Sequence, residues 1–195
     1  MKHKLSTTLA LVVLTVALAA ATARAQTVAN GPYYAPPAWD QQLPASTRFI
    51  VLSNWIDASH PSGGAAVLDR ETGLVWARSP EDDSASWGFA VDHCNTLKLG
   101  NRMGWRLPAI QELASLIDLT APINAVGLPS GHPFQNVLPS VYWSASTSAE
   151  LVGGFGWAAL FGGTHGVFRQ GKSVSSLVWC VRGQQGVEPH VSGSR

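Results

Sequence analysis

The sequence predicts an α+β domain in which two helices pack beside several short strands. Apolar residues recur at helical spacing near residues 87–97 and 108–117, and they alternate with polar residues in several short stretches elsewhere. Only 13% of the residues are charged, whereas the chain holds 19 glycines, 12 prolines and 8 tryptophans. This composition is typical of a loop-rich domain that is mainly β or α+β.

The first 25 residues are predicted to be a signal peptide. Lys2 and Lys4 form a basic start, residues 5–21 are almost wholly apolar, and Ala23 and Ala25 are small residues at the positions that a signal peptidase requires. The apolar run is short for a membrane-spanning helix. We therefore expect an exported protein, periplasmic or extracellular, with no membrane insertion after cleavage.

The mature chain is predicted to hold one domain and to be weakly acidic. Removing 25 of 195 residues leaves 170, which is enough for a single core. The loss of Lys2, Lys4 and Arg24 leaves 10 of 13 basic residues against 12 acidic ones, a net charge of about −2. This balance gives no reason to expect nucleic acid or an anionic membrane as a partner.

The chain has two cysteines, Cys94 and Cys180. In an oxidising compartment such a pair predicts one structural disulfide, and the chain-entropy model gives a bridge over so long a loop about 4–5 kcal/mol. A redox or nucleophilic role for Cys94, beside His93, is the alternative. The position of Cys94 on the apolar side of a predicted helix favours the bridge.

The N-terminal half predicts a leader and then three strands. Residues 26–47 contain four prolines and form an extended leader or linker. Residues 48–53 are the first credible strand. Residues 65–69 and 74–78 flank a polar turn that ends in glycine, which predicts a β-hairpin.

Two helices are predicted in the middle of the chain. The first begins at Ser84 or Ser86, behind three acidic residues, and ends near Gly100. The second begins with Pro108 in its first turn. The buried stripes are Trp87, Ala90, Val91, Cys94 and Leu97 in the first helix, and Ile110, Leu113, Ala114, Leu116 and Ile117 in the second. Glu112 and Asp118 are expected to lie on other faces of the second helix.

After a long loop over residues 119–139, the pattern predicts strands. These occupy residues 141–146, 156–163, 167–172 and 177–182, with a turn at residues 163–166. The residues from 184 to 195 show no apolar periodicity, which predicts a flexible tail.

No motif points to catalysis, a metal or a cofactor. The histidines are dispersed, and the chain has no Gly-x-Ser-x-Gly turn and no glycine-rich phosphate loop. The acidic pairs Asp82-Asp83 and Asp69 with Glu71 are interpreted as solvated residues at a helix start and at a turn. We expect Glu112 to pair with Arg106 across the start of the second helix.

Tryptophan is the strongest candidate for ligand binding, because indole rings stack on sugars and on other rings. Trp76, Trp87, Trp105 and Trp179 fall on predicted core positions, so we assign them to packing. The candidate ligand-binding residues lie in or beside the C-terminal hairpins and are Trp143, Trp157, Phe161, His165 and Arg169.

An ordered set of motifs resembles one known family. "LDRETGLVWAR", "GWRLPAIQELASLID", "YWSASTSA" and "VWCVR" follow one another, with a helix carrying a mid-helix cysteine after the first. This resembles the exported bacterial domain family named after the C-terminal domain of the collagen-like adhesin Lcl. The resemblance covers residues 49–183, nearly all of the expected domain at 48–183.

The resemblance implies a variant of the C-type-lectin-like fold, an architecture shared with formylglycine-generating enzymes and with variable receptor-binding proteins of phage retroelements. Two helices would pack on small antiparallel sheets, with the N- and C-terminal strands adjacent. The two strands that share Leu-Val-Trp would be neighbours. A disulfide between Cys94 and Cys180 would join the first helix to the last strand.

The chain departs from the related families in three ways. The family usually has aspartate before Trp-Arg-Leu-Pro, where this chain has Gly104. The Glu-Pro-Asn, Gln-Pro-Asp and Trp-Asn-Asp motifs of calcium-dependent lectins are missing, so calcium-mediated sugar binding is not expected. The unbridged cysteine pair that formylglycine-generating enzymes use for oxidation is not evident.

The expected function is that of an exported, non-catalytic binding module, of the kind used in adhesion. It would recognise a cell-surface glycan or a protein partner without calcium, through the long loop and the C-terminal hairpins. One alternative is an enzyme with a site built from Asp69, Glu112, His165 and Arg169. Another is a structural component of the envelope or of an assembly, with the leader as a tether.

Overall fold

The computed structural model describes residues 43–123, 125–149 and 154–183, which form an α+β domain. The expected signal peptide, most of the leader and the expected tail lie outside these described residues. The elements, in chain order, are α1 (Ala45–Arg48), β1 (Phe49–Val51), β2 (Ala66–Asp69), β3 (Val75–Ala77), α2 (Trp87–Thr96), β4 (Trp105–Arg106), α3 (Ile110–Ala114), β5 (Val141–Thr147), β6 (Phe155–Leu160), β7 (Gly166–Gly171) and β8 (Val181–Arg182). Among the described residues, no helix has the length and hydropathy to cross a membrane.

The first sheet has five strands in the order β1-β2-β3-β8-β4, with antiparallel pairing throughout. The predicted hairpin is confirmed, since Val67 of β2 pairs with Trp76 of β3. Its turn closes where the Gly73 amide donates to the Asp69 carbonyl at 2.8 Å. Gly73 has a φ of +70°, a conformation that glycine adopts without steric cost.

The terminal strands share this sheet, but the expectation that they are adjacent is wrong. Two strands, β2 and β3, lie between β1 and β8. The two strands that share Leu-Val-Trp are neighbours as expected, since Trp76 of β3 pairs with Val181 of β8. The first half of the predicted last strand is not paired within this sheet, because the Leu177 amide and carbonyl bond to Val141 and Trp143 of β5 instead. This segment therefore joins the two sheets.

The second sheet is an antiparallel meander of β5, β6 and β7. Trp143 pairs with Ala158 across β5 and β6, and Trp157 pairs with Arg169 across β6 and β7. The register between β5 and β6 shifts after Trp143. These strands confirm the pattern predicted for the C-terminal third of the chain to within one to three residues at each end.

The helix α2 corresponds to the first predicted helix, and two residues of its predicted apolar stripe are fully buried. Ser86 is its N-cap residue, Ala90 and Cys94 are fully buried, and the helix ends at Thr96, four residues before Gly100. The predicted disulfide is confirmed: Cys94 is bonded to Cys180, which precedes β8. The bridge therefore fixes α2 to the end of the chain segment that joins the two sheets.

The helix α3 is shorter than the predicted span of 108–117. Pro108 lies before the helix, where its carbonyl accepts a hydrogen bond from the Ala145 amide at 2.7 Å. Leu113 is buried as predicted, but Glu112 is 5% exposed, so its assignment to an outer face is wrong. The ion pair with Arg106 makes the burial of this carboxylate possible.

The core is centred on Trp179, which is fully buried. Its ring lies 5.0 to 5.8 Å from those of Trp76, Phe134, Tyr142 and Phe161. The indole N–H donates to the Ala77 carbonyl at 2.8 Å, which satisfies its one polar atom. The core assignment is confirmed for Trp76, Trp105 and Trp179, whereas Trp87 is half-buried.

Candidate functional site

Two of the five candidate ligand-binding residues belong to the core. Trp143 and Phe161 are both 0% exposed, so neither side chain reaches the surface and the expectation for them is wrong. Trp143 donates its indole N–H to the Ala85 carbonyl at 2.9 Å. Phe161 packs edge-on against Tyr142, with ring centres 5.2 Å apart. Trp143 is covered by the segment before α2, and Phe161 is covered by the aromatic core around Trp179.

The other three candidates all belong to the hairpin of β6 and β7. Trp157 is half-buried and its cross-strand partner Arg169 is exposed. His165 lies in the turn that joins the two strands and has a φ of +39°, with its amide donating to the Gly162 carbonyl at 3.2 Å. Within the described part of the chain, neither buried ring nitrogen of His165 has a hydrogen-bond partner.

The long loop packs against this turn. The Gly163 amide donates to the Ile123 carbonyl at 3.1 Å. A Cβ placed on Gly127 would lie 2.7 Å from Nδ1 of His165, so the imidazole ring lies directly against the loop backbone. Leu119 and Ile123 are 80% and 64% exposed, although both side chains are apolar.

We call the residues Leu119, Ile123, Trp157, His165 and Arg169 the hairpin–loop surface. Two backbone segments form it, and they meet at the turn between β6 and β7. The apolar side chains come from the long loop, which was expected to take part in binding together with the C-terminal hairpins, although none of its residues was named as a ligand contact. Their exposure was not visible in the sequence, because it depends on which segments pack against the loop.

Asp69 and Glu71 are not solvated turn residues, contrary to expectation. Arg48 is fully buried and donates from Nε and Nη2 to the two oxygens of Asp69, at 3.0 and 2.8 Å. Its Nη1 lies 3.2 Å from Oε2 of Glu71. The second carboxylate oxygen of Glu71 accepts from the Leu43 amide. These carboxylates are therefore structural partners of one buried guanidinium.

Glu112 is held in the same way, and the predicted pair with Arg106 is confirmed. The guanidinium of Arg106 donates to both oxygens of Glu112 at 2.7 Å, and the Ala109 amide donates to one of them at 2.8 Å. Of the residues proposed for an enzyme site, Asp69 lies in the first sheet and Arg169 in the second. The two carboxylates that such a site needs are already bonded to arginine.

A groove that sequence reasoning did not identify lies between α2 and the segment before β8. It has a volume of about 650 Å³. Its lining is formed by Glu81, Asp83, Ser84, Ala85, Ser86, Phe89, Asp92, His93, Thr96, Ser175 and Val178. Phe89 is 74% exposed, because it lies off the buried stripe of α2. The location of an aromatic residue off the apolar stripe was the only indication of the groove in the sequence.

A second groove, of about 540 Å³, adjoins residues 57–60 and 97–101. Nδ1 of His60 lies 2.9 Å from Oδ1 of Asp57, and the Gly100 amide donates to Oδ2 of the same carboxylate at 2.6 Å. Desolvation raises the pKa of Asp57, but the hydrogen bonds from Gly100 and His60 outweigh it and leave the pKa below its ordinary value. Asp57 therefore stays ionised, and its hydrogen bonds hold the loop of residues 57–60 against Gly100.

The part of the chain that the structure describes holds no group of three His, Cys, Asp or Glu residues close enough to bind a metal ion. The charged side chains found above are arranged as pairs and as one buried triad. Ion pairs of this kind hold loops and strands in place.

Comparison with known proteins identifies the domain. Residues 65–182 match the model of the Lcl C-terminal domain, and that span includes β2 to β8 and both cysteines. No curated protein matches the chain. The matched span covers more than half of the 195 residues. The chain therefore belongs to the Lcl C-terminal domain family.

Proposed function

We propose that this domain is an exported, non-catalytic binding module with a variant of the C-type-lectin-like fold. It recognises a cell-surface glycan or a protein partner without calcium. The disulfide between Cys94 and Cys180 supports export, because such bonds persist in oxidising compartments. The engagement of Asp69 and Glu112 with arginine supports a role that does not depend on acid–base chemistry.

The observation that carries the proposal is the hairpin–loop surface. Leu119 and Ile123 expose most of their apolar side chains, and Ile123 is hydrogen-bonded through its carbonyl to the hairpin turn. Exposed apolar residues on a surface that also carries polar groups are typical of interaction sites. The imidazole of His165 is buried against the loop at Gly127, so the loop and the hairpin turn form one continuous surface.

Trp157 and Arg169 support a glycan as one class of ligand. They are cross-strand partners, so an indole ring and a guanidinium lie on the same face of the hairpin. An indole face stacks on a sugar ring, while a guanidinium donates hydrogen bonds to sugar hydroxyls. Leu119 and Ile123 instead support a protein partner, whose apolar residues they would cover.

The test is a glycan array and a pull-down from cell-surface extract, both with the mature protein and with EDTA present. Leu119→Ser with Ile123→Ser should abolish capture of a protein partner, and Trp157→Ala should abolish binding of a glycan. Met103→Ser is the matched control, because Met103 is 63% exposed and lies outside the surface. Ligands retained equally by all variants, or no ligand in either screen, would refute the proposal.

A further inference from the structure

The groove between α2 and residues 175–178 has an apolar floor and an aromatic wall. Val178 is 2% exposed and Ala85 is half-buried, while Phe89 presents its ring to solvent from the first turn of α2. A volume of about 650 Å³ lies within the range of ligand-binding clefts. The groove shares no lining residue with the hairpin–loop surface, so it is a separate site.

Apart from the imidazole of His93, the ionisable side chains that line the groove are all carboxylates. Glu81, Asp83 and Asp92 line it, and neither lysine nor arginine does. Two basic side chains lie nearby, and each contacts a partner. Nε2 of His93 lies 3.2 Å from Oε1 of Glu81, and Nζ of Lys172 lies 4.1 Å from the centre of the Trp87 ring. Asp83 and Asp92 are exposed and form no ion pair within the described residues.

We propose that this groove binds a polypeptide segment that bears lysine or arginine beside apolar side chains. The carboxylates of Asp83 and Asp92 complement the cationic head group. The exposed ring of Phe89 complements it as well, because a cation is attracted to the face of an aromatic ring. The apolar floor at Val178 receives the apolar neighbours of the basic residue.

An open groove of this kind favours a peptide over a small amine. The rim acids and the Phe89 ring lie at the surface, where a single small cation stays hydrated and gains little. A peptide adds apolar contacts along the groove, and these contribute in proportion to the area that they remove from water. The partner is therefore a basic and apolar segment of another protein.

The test is fluorescence anisotropy with the mature protein and a labelled nine-residue peptide of alternating lysine and leucine. The matched probes replace every lysine with acetyl-lysine, which removes the charge, or with glutamate, which reverses it. We expect saturable binding of the lysine peptide, about tenfold tighter than that of the acetylated one and weaker as salt rises. Equal binding of the two peptides, or no saturable binding, would overturn the proposal.

Two substitutions locate the binding. Phe89→Ser and Asp92→Asn should each weaken the lysine peptide about threefold to tenfold, because each removes one attraction to the cation. Both residues are exposed, so the variants should keep the thermal midpoint of the wild type. Met103→Ser should bind as the wild type does. Unchanged binding by Phe89→Ser would show that the peptide binds elsewhere and would exclude the groove.

Discussion

Arg48 and Asp69 form a fully buried ion pair with two parallel hydrogen bonds, at 3.0 and 2.8 Å. The pair joins the residue just before β1 to the last residue of β2. Arg48 also donates to the Ser115 carbonyl at 3.0 Å, so the same guanidinium reaches the segment after α3. One side chain thus connects three parts of the fold.

Breaking this pair should strongly destabilise the domain. Arg48→Met leaves Asp69 and Glu71 buried without their counter-ion, which costs about 3–5 kcal/mol in comparable cases. Urea denaturation of the variant and the wild type measures the difference in free energy of unfolding. Arg70→Gln is the control, because the side chain of Arg70 is exposed and its hydrogen bond goes to the Thr47 carbonyl rather than to the buried pair. A loss below about 1 kcal/mol for Arg48→Met would contradict the structural role assigned to the pair.

The disulfide is expected to contribute a large part of the stability. It closes a loop of 86 residues, for which the chain-entropy model gives about 4–5 kcal/mol. Peptide mapping of mature protein by mass spectrometry, without reductant, should find Cys94 linked to Cys180. The double variant Cys94→Ala and Cys180→Ala should unfold at a much lower urea concentration. Two free thiols in exported protein would show that the bridge does not form.

Tyr142 should make the domain sensitive to alkali. Burial raises its pKa, the Leu138 amide lowers it and Asp82 raises it further, to a value of about 12 against an ordinary 10.0. The folded state therefore holds this proton more tightly than the unfolded chain, and the resulting stability is complete below pH 10 and is lost as the pH rises to about 12.

The variant Tyr142→Phe isolates this effect. It also removes the two hydrogen bonds between the hydroxyl and Leu138, at 2.9 and 3.1 Å, which should cost about 1–2 kcal/mol at neutral pH. The difference in unfolding free energy between wild type and variant should shrink between pH 10 and pH 12. A difference that stays constant across that window would mean that Tyr142 ionises as freely when folded as when unfolded.

His132 should produce a loss of stability in mild acid. Burial lowers its pKa below the ordinary 6.5, since the charged form loses hydration beside Phe134. The unfolded chain then binds the proton more readily, so stability is complete above pH 6.5 and falls as the pH drops through and below that value. Comparison of urea midpoints at pH 7.5 and pH 5 with those of His132→Gln measures this. An identical fall in both proteins would assign it to other groups.

The sequence alone determined the elements whose signals are local. The apolar stripe of α2 and the glycine that closes the hairpin depend only on residues close in the chain. The disulfide was predictable because two cysteines allow only one pairing. The Arg106–Glu112 pair was also predictable, because six residues separate its members across one helix start. The order of motifs was enough to identify the family.

Tertiary structure alone decided which charged and aromatic residues are buried. Asp69 and Glu71 look like turn residues until the fold brings Arg48 between them, across 21 residues of chain. Trp143 and Phe161 are buried because both faces of the second sheet are covered near them, and strand alternation cannot show this. The groove beside Phe89 exists only where α2 meets residues 175–178. Burial and concavity depend on which distant segments pack together, and local sequence patterns do not contain that information.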